Sequence, residues 1–249
     1  MNHVLHEIVD SGFVVLPSGE RVALSSHIDQ ACGGLLQKAI RAVRPKVAVE
    51  VGLAFGVSAL YMLEALSEGG VPRLIGMDPV QHDDNWRGGG LHNIERAGYR
   101  DFYEFHEDTS QQVLPALVAR GEHVGVGFID GWHTFDHALV DFFYIDQLLD
   151  IGGIIVFDDV GYPSIRRVCE FVVTNRSYEI FGSVRYNVPH PLRRAVKGFA
   201  RGVLLPLYRT DETPNRDARR AAASLAQVYF LALRKTANDR RSFDHFIHF

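Results

Sequence analysis

From about residue 33 to residue 184 the chain alternates between short apolar runs and longer stretches with helical spacing. KVAVEVG (46–52), RLIGMD (73–78), DFYEFHE (101–107), VGVGFID (124–130) and GGIIVFDD (152–159) read as strands. GVSALYMLEALSEG, LHNIERAG, SQQVLPALVAR and FDHALVDFFYIDQLL separate them as helices, and SIRRVCEFVVTN follows the fifth strand. Pro115 falls inside the third helix, where it fits a first turn or a kink. The strand runs are almost continuously Val, Ile and Phe, as expected of strands covered by helices on both faces. Repeated strand–helix units then imply a parallel, doubly wound sheet. YEIFGSV (178–184) and VYFLALRK (228–235) would complete it at seven strands.

Residues 1–32 precede the alternation, hold one hairpin candidate, GFVVLPSGERVAL, and read as an N-terminal cap or substrate segment. Residues 33–249 read as the main domain, with an insertion at 185–227 that is too long for a turn. Within it, PLRRAVKGFARGVLLPLYR places Leu192, Val196, Phe199, Val203 and Leu207 on one helical stripe, with Arg193, Arg194, Lys197 and Arg201 around it. Such a helix either packs on the body or on a second subunit, the favoured reading, or serves as a lid or a surface for anionic lipid. The aromatic tail, DRRSFDHFIHF, is expected to dock on its own domain or on a neighbouring copy.

Charge is divided unevenly. Residues 1–183 carry 13 Lys and Arg against 25 Asp and Glu, whereas 184–249 carry 13 against 5. The acidic body argues against nucleic acid as the main partner. Cys32 and Cys169 are too few for a disulfide framework and have no metal-ligand company. No run approaches the roughly 20 apolar residues of a membrane span. The opening MNHVLHEIVD lacks the cationic start and apolar core of a signal peptide, so the expected compartment is a reducing cytoplasm.

VEVGLAFGVSAL (49–60) is a strand entering a glycine-containing turn and then a helix. Gly52 and Gly56 allow backbone to approach a ligand, and the helix start offers free N–H groups. A plain tight turn would also look like this. The spacing is G-x-x-x-G, not the dinucleotide G-x-G-x-x-G. Asp78 ends the next strand, where a carboxylate would meet ribose hydroxyls. Glu50 puts a second carboxylate beneath the turn, which disfavours a pyrophosphate and favours a cationic or zwitterionic ligand such as S-adenosylmethionine.

The fourth and fifth strands each end in acid: Asp130 after one, Asp158 and Asp159 after the other. Ligands of a doubly wound sheet sit beyond the carboxyl ends of its strands, and neighbouring strands lie about 4.8 Å apart. The three carboxylates should therefore converge, and they would repel unless a cation neutralised them. Oxygen donors suit Mg²⁺, Mn²⁺ or Ca²⁺. The competing reading is that Asp130 and Asp159 merely cap the helices that follow. His133, three residues after Asp130, is a candidate general base; His137 is a weaker one, and Trp132 could wall the site or simply pack.

With these motifs, VEVGLAFGVSAL, IGMDP, FIDGWHTFDHALVDFFYIDQLL and GGIIVFDD, the chain resembles the class I S-adenosylmethionine-dependent methyltransferases over roughly residues 25–184. The likeness is to their metal-dependent small-molecule O-methyltransferase branch, of catechol type and of macrolide and aminocoumarin sugar type. The resemblance implies a Rossmann-like, mostly parallel seven-stranded sheet with an antiparallel last strand and a helical insertion before it. It implies that Glu50, Gly52, Gly56 and Ser58 surround the methionine end of the cofactor, that Asp78 binds the ribose, and that Asp108 or Ser110 lies near the adenine. Asp130, Asp158 and Asp159 would hold a divalent metal, with Asp130 and His133 at the reacting hydroxyl of a sugar or other small molecule. In some relatives Asn or Glu replaces one acid of the pair. Alternatives on the same fold are a hydroxylase-like enzyme and a non-catalytic nucleotide-binding relative.

Overall fold

The protein is described from a computed structural model covering residues 1–70, 73–186 and 223–249. The stripe from Leu192 to Leu207 lies outside the described residues. The chain begins with a helix, α1 (His3–Ser11), followed by a hairpin of β1 (Phe13–Val15) and β2 (Arg21–Ala23). Only the hairpin was expected. Asn2 caps α1 by accepting from the Val4 amide, and Gly12 ends it with φ +68°. Nine residues are too few for an isolated helix. Val4, Leu5 and Ile8 hold it by burial in the main core, each worth roughly 1.5–3 kcal/mol.

The rest is the expected alternation: α2 (Gln30–Val43), β3 (Ala48–Val51), α3 (Val57–Ser67), β4 (Leu74–Met77), α4 (Gly89–Arg96), β5 (Tyr103–His106) and α5 (Ser110–Ala119). Then come β6 (Val124–Ile129), α6 (Phe135–Leu148), β7 (Leu149–Phe157), α7 (Pro163–Asn175), β8 (Tyr178–Arg185) and β9 (Val228–Lys235). Seven strands form one sheet in the order β5-β4-β3-β6-β7-β9-β8. β9 runs antiparallel to both its neighbours, and the other described pairings are parallel. β7 begins three residues earlier than the GGIIVFDD motif suggests. A register shift between Val124 and Val126, with Gly152 at φ +88°, lets the strand start directly from the end of α6.

Both sheet faces are buried, and residues alternate between them. Ala48, Leu74, Val126, Phe128, Ile154 and Val156 join the core beneath α1, α2 and α3. Val49, Val51, Ile75, Ile129, Ile155 and Phe157 join the core beneath α5, α6 and α7. This is why the strands read as unbroken apolar runs. Among the described residues no helix is long and apolar enough to cross a membrane.

The connections diverge at β3, with β4 on one side and β6 on the other. A ligand crevice belongs at that point, beyond the carboxyl ends of the strands. Val51 pairs with Ile129, and Ile129 with Phe157. The next residues, Gly52, Asp130 and Asp158, therefore form one row across three adjacent strands. Asp130 N–H donates to Val51 O at 3.0 Å and Asp158 N–H to Ile129 O at 3.1 Å, which extends the ladder into that row.

Candidate active site

A cavity of about 700 Å³ opens over this row, a size suited to a cofactor-sized ligand. Gly52, Ser58, Asp78, Ser110, Asp130, His133, Asp158 and Asp159 lie on its wall, together with Trp132 and His137. Three of the expected cofactor residues do not: Glu50, Gly56 and Asp108. Glu50 is fully buried, because alternation along β3 turns it to the α1–α3 face. Gly56 caps α3 at φ +78° and packs against the backbone of Gly90. Asp108 is exposed and accepts from the Thr109 amide at 2.7 Å, and the wall is formed here by Thr109, Ser110 and Gln111.

Asp78 shapes the loop above β3. Its Oδ2 accepts from the amides of Leu53 and Ala54, both at 3.1 Å, and its Oδ1 from Val80 at 3.0 Å. Ala54 is thereby held at φ 47°, an uncommon conformation for alanine. Gln81 adds a second tie, donating to Ala54 O and accepting from the Gly90 amide, each at 2.9 Å. Spacing alone gave no sign of Gln81. Its signal is burial: a fully buried amide should have both ends bonded.

The acidic end is a cluster of four groups. His133 Nε2 lies 3.5 Å from Asp130 Oδ1 and 3.3 Å from Asp159 Oδ2, and these three offer ligand atoms within 4.8 Å of one another. Asp158 is the row neighbour of Asp130, and its Oδ1 accepts from the Asp159 amide at 2.7 Å. Asp159 sits at φ 53°, strain of the kind found at functional sites. Capping does not account for these acids. The N-caps of α6 and α7 are Thr134 and Tyr162.

Burial, with the Asp130 charge beside it, pushes Asp158 up to about 8. Burial raises Asp130 as well. The hydrogen bond to Asp130 and the Asp159 charge raise His133. None of the described residues on the cavity wall is a lysine or arginine. Among the described residues the carboxylates thus have His133 as the cation on the wall beside them, and this oxygen-rich set fits a hard divalent ion. His133 is held in place by stacking on Tyr162, with ring centroids 5.6 Å apart at 18°, and by Ser164 Oγ donating to its carbonyl at 2.7 Å.

Residues 49–160, from β3 to the end of the acidic row, match the model of a family described as a methyltransferase domain. This stretch of the chain is similar to a methyltransferase domain. Catechol O-methyltransferase of Bos taurus is 26% identical to it over 157 residues, covering 61% of this chain and 55% of that protein. The chain thus spans about half the length of that relative. The methyltransferase fold is shared with an O-methyltransferase from Bacillus cereus solved with SAH, at TM-score 0.62 and 15% identity, covering 94% of this chain and 92% of that one. It is shared equally with the O-methyltransferase TomG of Streptomyces achromogenes, involved in tomaymycin synthesis and solved with SAM, at TM-score 0.62 and 15% identity, covering 95% and 91%. The matched region includes the glycine loop and all three acids of the row. It excludes the wall residues Ser26, His27 and Ile28, which the N-terminal segment supplies.

Proposed function

We propose that the protein transfers a methyl group from S-adenosylmethionine to a hydroxyl of a small molecule bearing two neighbouring oxygens, with help from a divalent metal. The observation behind this reading is the row Gly52, Asp130, Asp158: it sets a cofactor-type loop beside a carboxylate cluster with no lysine or arginine among the described residues of its wall. Ser58, Asp78 and Ser110 bind the cofactor along the cavity, and Glu50 acts on it through Ser58. Asp130, Asp158 and Asp159 hold the metal, with Mg²⁺ preferred and Mn²⁺ or Ca²⁺ as substitutes. When bound, S-adenosylmethionine supplies an electrophilic methyl group, and the metal supplies charge that lowers the acceptor's pKa and relieves the acids of their hold on the His133 proton.

His133 Nε2 takes the proton of the acceptor hydroxyl. Tyr162 and Ser164 keep its ring and backbone in place, so that the acceptor oxygen meets the methyl group in near-attack geometry. Trp132 and the N-terminal residues Ser26 to Ile28 close the acceptor side, which gives the first 32 residues their role as a substrate segment. The acceptor is a sugar moiety or another natural product, and the setting is a reducing cytoplasm, in keeping with two buried free cysteines.

Thermal shift with S-adenosylmethionine, S-adenosylhomocysteine and NAD, each with and without Mg²⁺, tests the reading. Stabilisation should grow with the logarithm of ligand concentration for the first two and be absent for NAD. Turnover of a catechol or sugar acceptor should stop in EDTA and return with Mg²⁺, the product gaining a methyl group and not an oxygen atom. Full turnover in EDTA would refute the metal role.

A further inference from the structure

Gly76 lies on β4 between Glu50 of β3 and strand β5, and a Cβ at Gly76 would overlap the Tyr103 hydroxyl. Tyr103 uses that notch to cross a whole strand and donates to Glu50 Oε2 at 3.3 Å. From the other side Ser58 donates to Glu50 Oε1 at 2.5 Å. Tyr103 and Glu50 are buried, whereas Ser58 reaches the cavity wall. For stability alone this is a poor arrangement: a buried carboxyl is costly even when bonded, and a glycine within a strand weakens it. Among the described residues the arrangement reaches the cavity wall through the Ser58 hydroxyl.

Building on the S-adenosylmethionine reading, we propose that Tyr103 is a positioning residue for the cofactor: it holds the Glu50 carboxyl, and Glu50 in turn fixes Ser58 at the cavity floor. Burial keeps the Tyr103 hydroxyl protonated, since its pKa lies well above the ordinary value, so it remains a donor. Burial raises the Glu50 pKa most, the Ser58 and Tyr103 hydroxyls lower it, and the Asp130 and Asp78 carboxylates, at the ends of β6 and β4, raise it further. Losing one donor to the charged form raises a carboxyl pKa.

Titration calorimetry of the full chain with S-adenosylhomocysteine, from mildly acid to alkaline pH, tests the proposal. Tyr103→Phe should weaken binding about fivefold, the loss of one hydrogen bond to the Glu50 carboxyl, and move its pH profile to higher pH. Ser58→Ala should also weaken binding, and adding Tyr103→Phe to it should cost nothing further. Glu50→Gln should reproduce the loss and provides a second route if Tyr103→Phe folds poorly. A Tyr103→Phe protein that binds like the parent, or losses that add in the double variant, would overturn the positioning role. Absence of binding by the parent would overturn the cofactor reading beneath it, and this inference with it.

Discussion

Burial pushes the Glu50 carboxyl up to about 8, so near neutrality it keeps a proton that the unfolded chain, with a pKa of about 4.3, has released. The folded state binds more protons across that window, so this group's contribution to stability is full below the unfolded value. It declines as pH rises and is gone above the folded value. Glu50→Gln keeps the shape and removes the titration. Melting temperatures of parent and variant across that range should show the variant gaining on the parent as pH rises, and level with or above it beyond the folded value. A constant gap would mean that Glu50 is ionised throughout. At this scale the sequence was half legible. Asp130, Asp158 and Asp159 were visible because strand ends converge by geometry, whereas spacing did not reveal which way Glu50, Gly56 and Asp108 point. Alternation along β3 could have shown it for Glu50: Val49 and Val51 share one face, so Glu50 must take the other.

Between residues and fold stand the elements, and here the βα turn after β3 sets the tightest constraint. A Cβ on Gly52, at φ +89°, would overlap the carbonyl of Asp130, the residue that starts the acidic row. The glycine therefore serves the approach of two loops as much as the approach of a ligand. Gly52→Ala should cost about 2–4 kcal/mol, combining left-handed strain with forced displacement of backbone. Gly121→Ala is the control: its φ is +69° but nothing lies within 4 Å, so it should cost about 1–2 kcal/mol. Denaturant melts measure both, and equal costs would mean that the Asp130 loop yields freely. The parallel strands were legible because two helix layers bury both faces. Helix α1 was not, because nine residues are too few to hold a helix alone and depend on the core they reach. The early start of β7 was hidden by Gly152 and Gly153, which look like a strand boundary and instead form an irregularity inside one.

At the scale of the whole molecule, the last strand joins the tail to the body on the flank away from the cavity. Lys235 is buried at the end of β9 and donates to the carbonyls of Asp146 and Leu149 at 2.6 and 2.9 Å. Beyond it the tail lies along α7. Asn175 grips the backbone of Ile247 in both senses, accepting from its N–H at 3.0 Å and donating to its carbonyl at 2.9 Å. Phe249 packs edge-on against Phe171 at 5.3 Å, and Arg241 lies over the same ring at 5.6 Å. The aromatic tail thus docks on its own domain, one of the two outcomes its composition suggested. Asn175 is the last of the 13 residues of α7, which at 1.5 Å per residue puts it about 18 Å along the helix from the end bearing Ser164. Asn175→Ala removes both bonds and leaves the Ile247 backbone unpaired, which should cost about 1–3 kcal/mol. The tail should then become accessible to limited proteolysis, while affinity for S-adenosylhomocysteine stays within about twofold, since sites without shared partners act independently. An equal loss of cofactor affinity would mean that α7 carries the disturbance along its length to His133, through the Ser164 hydroxyl that bonds its carbonyl.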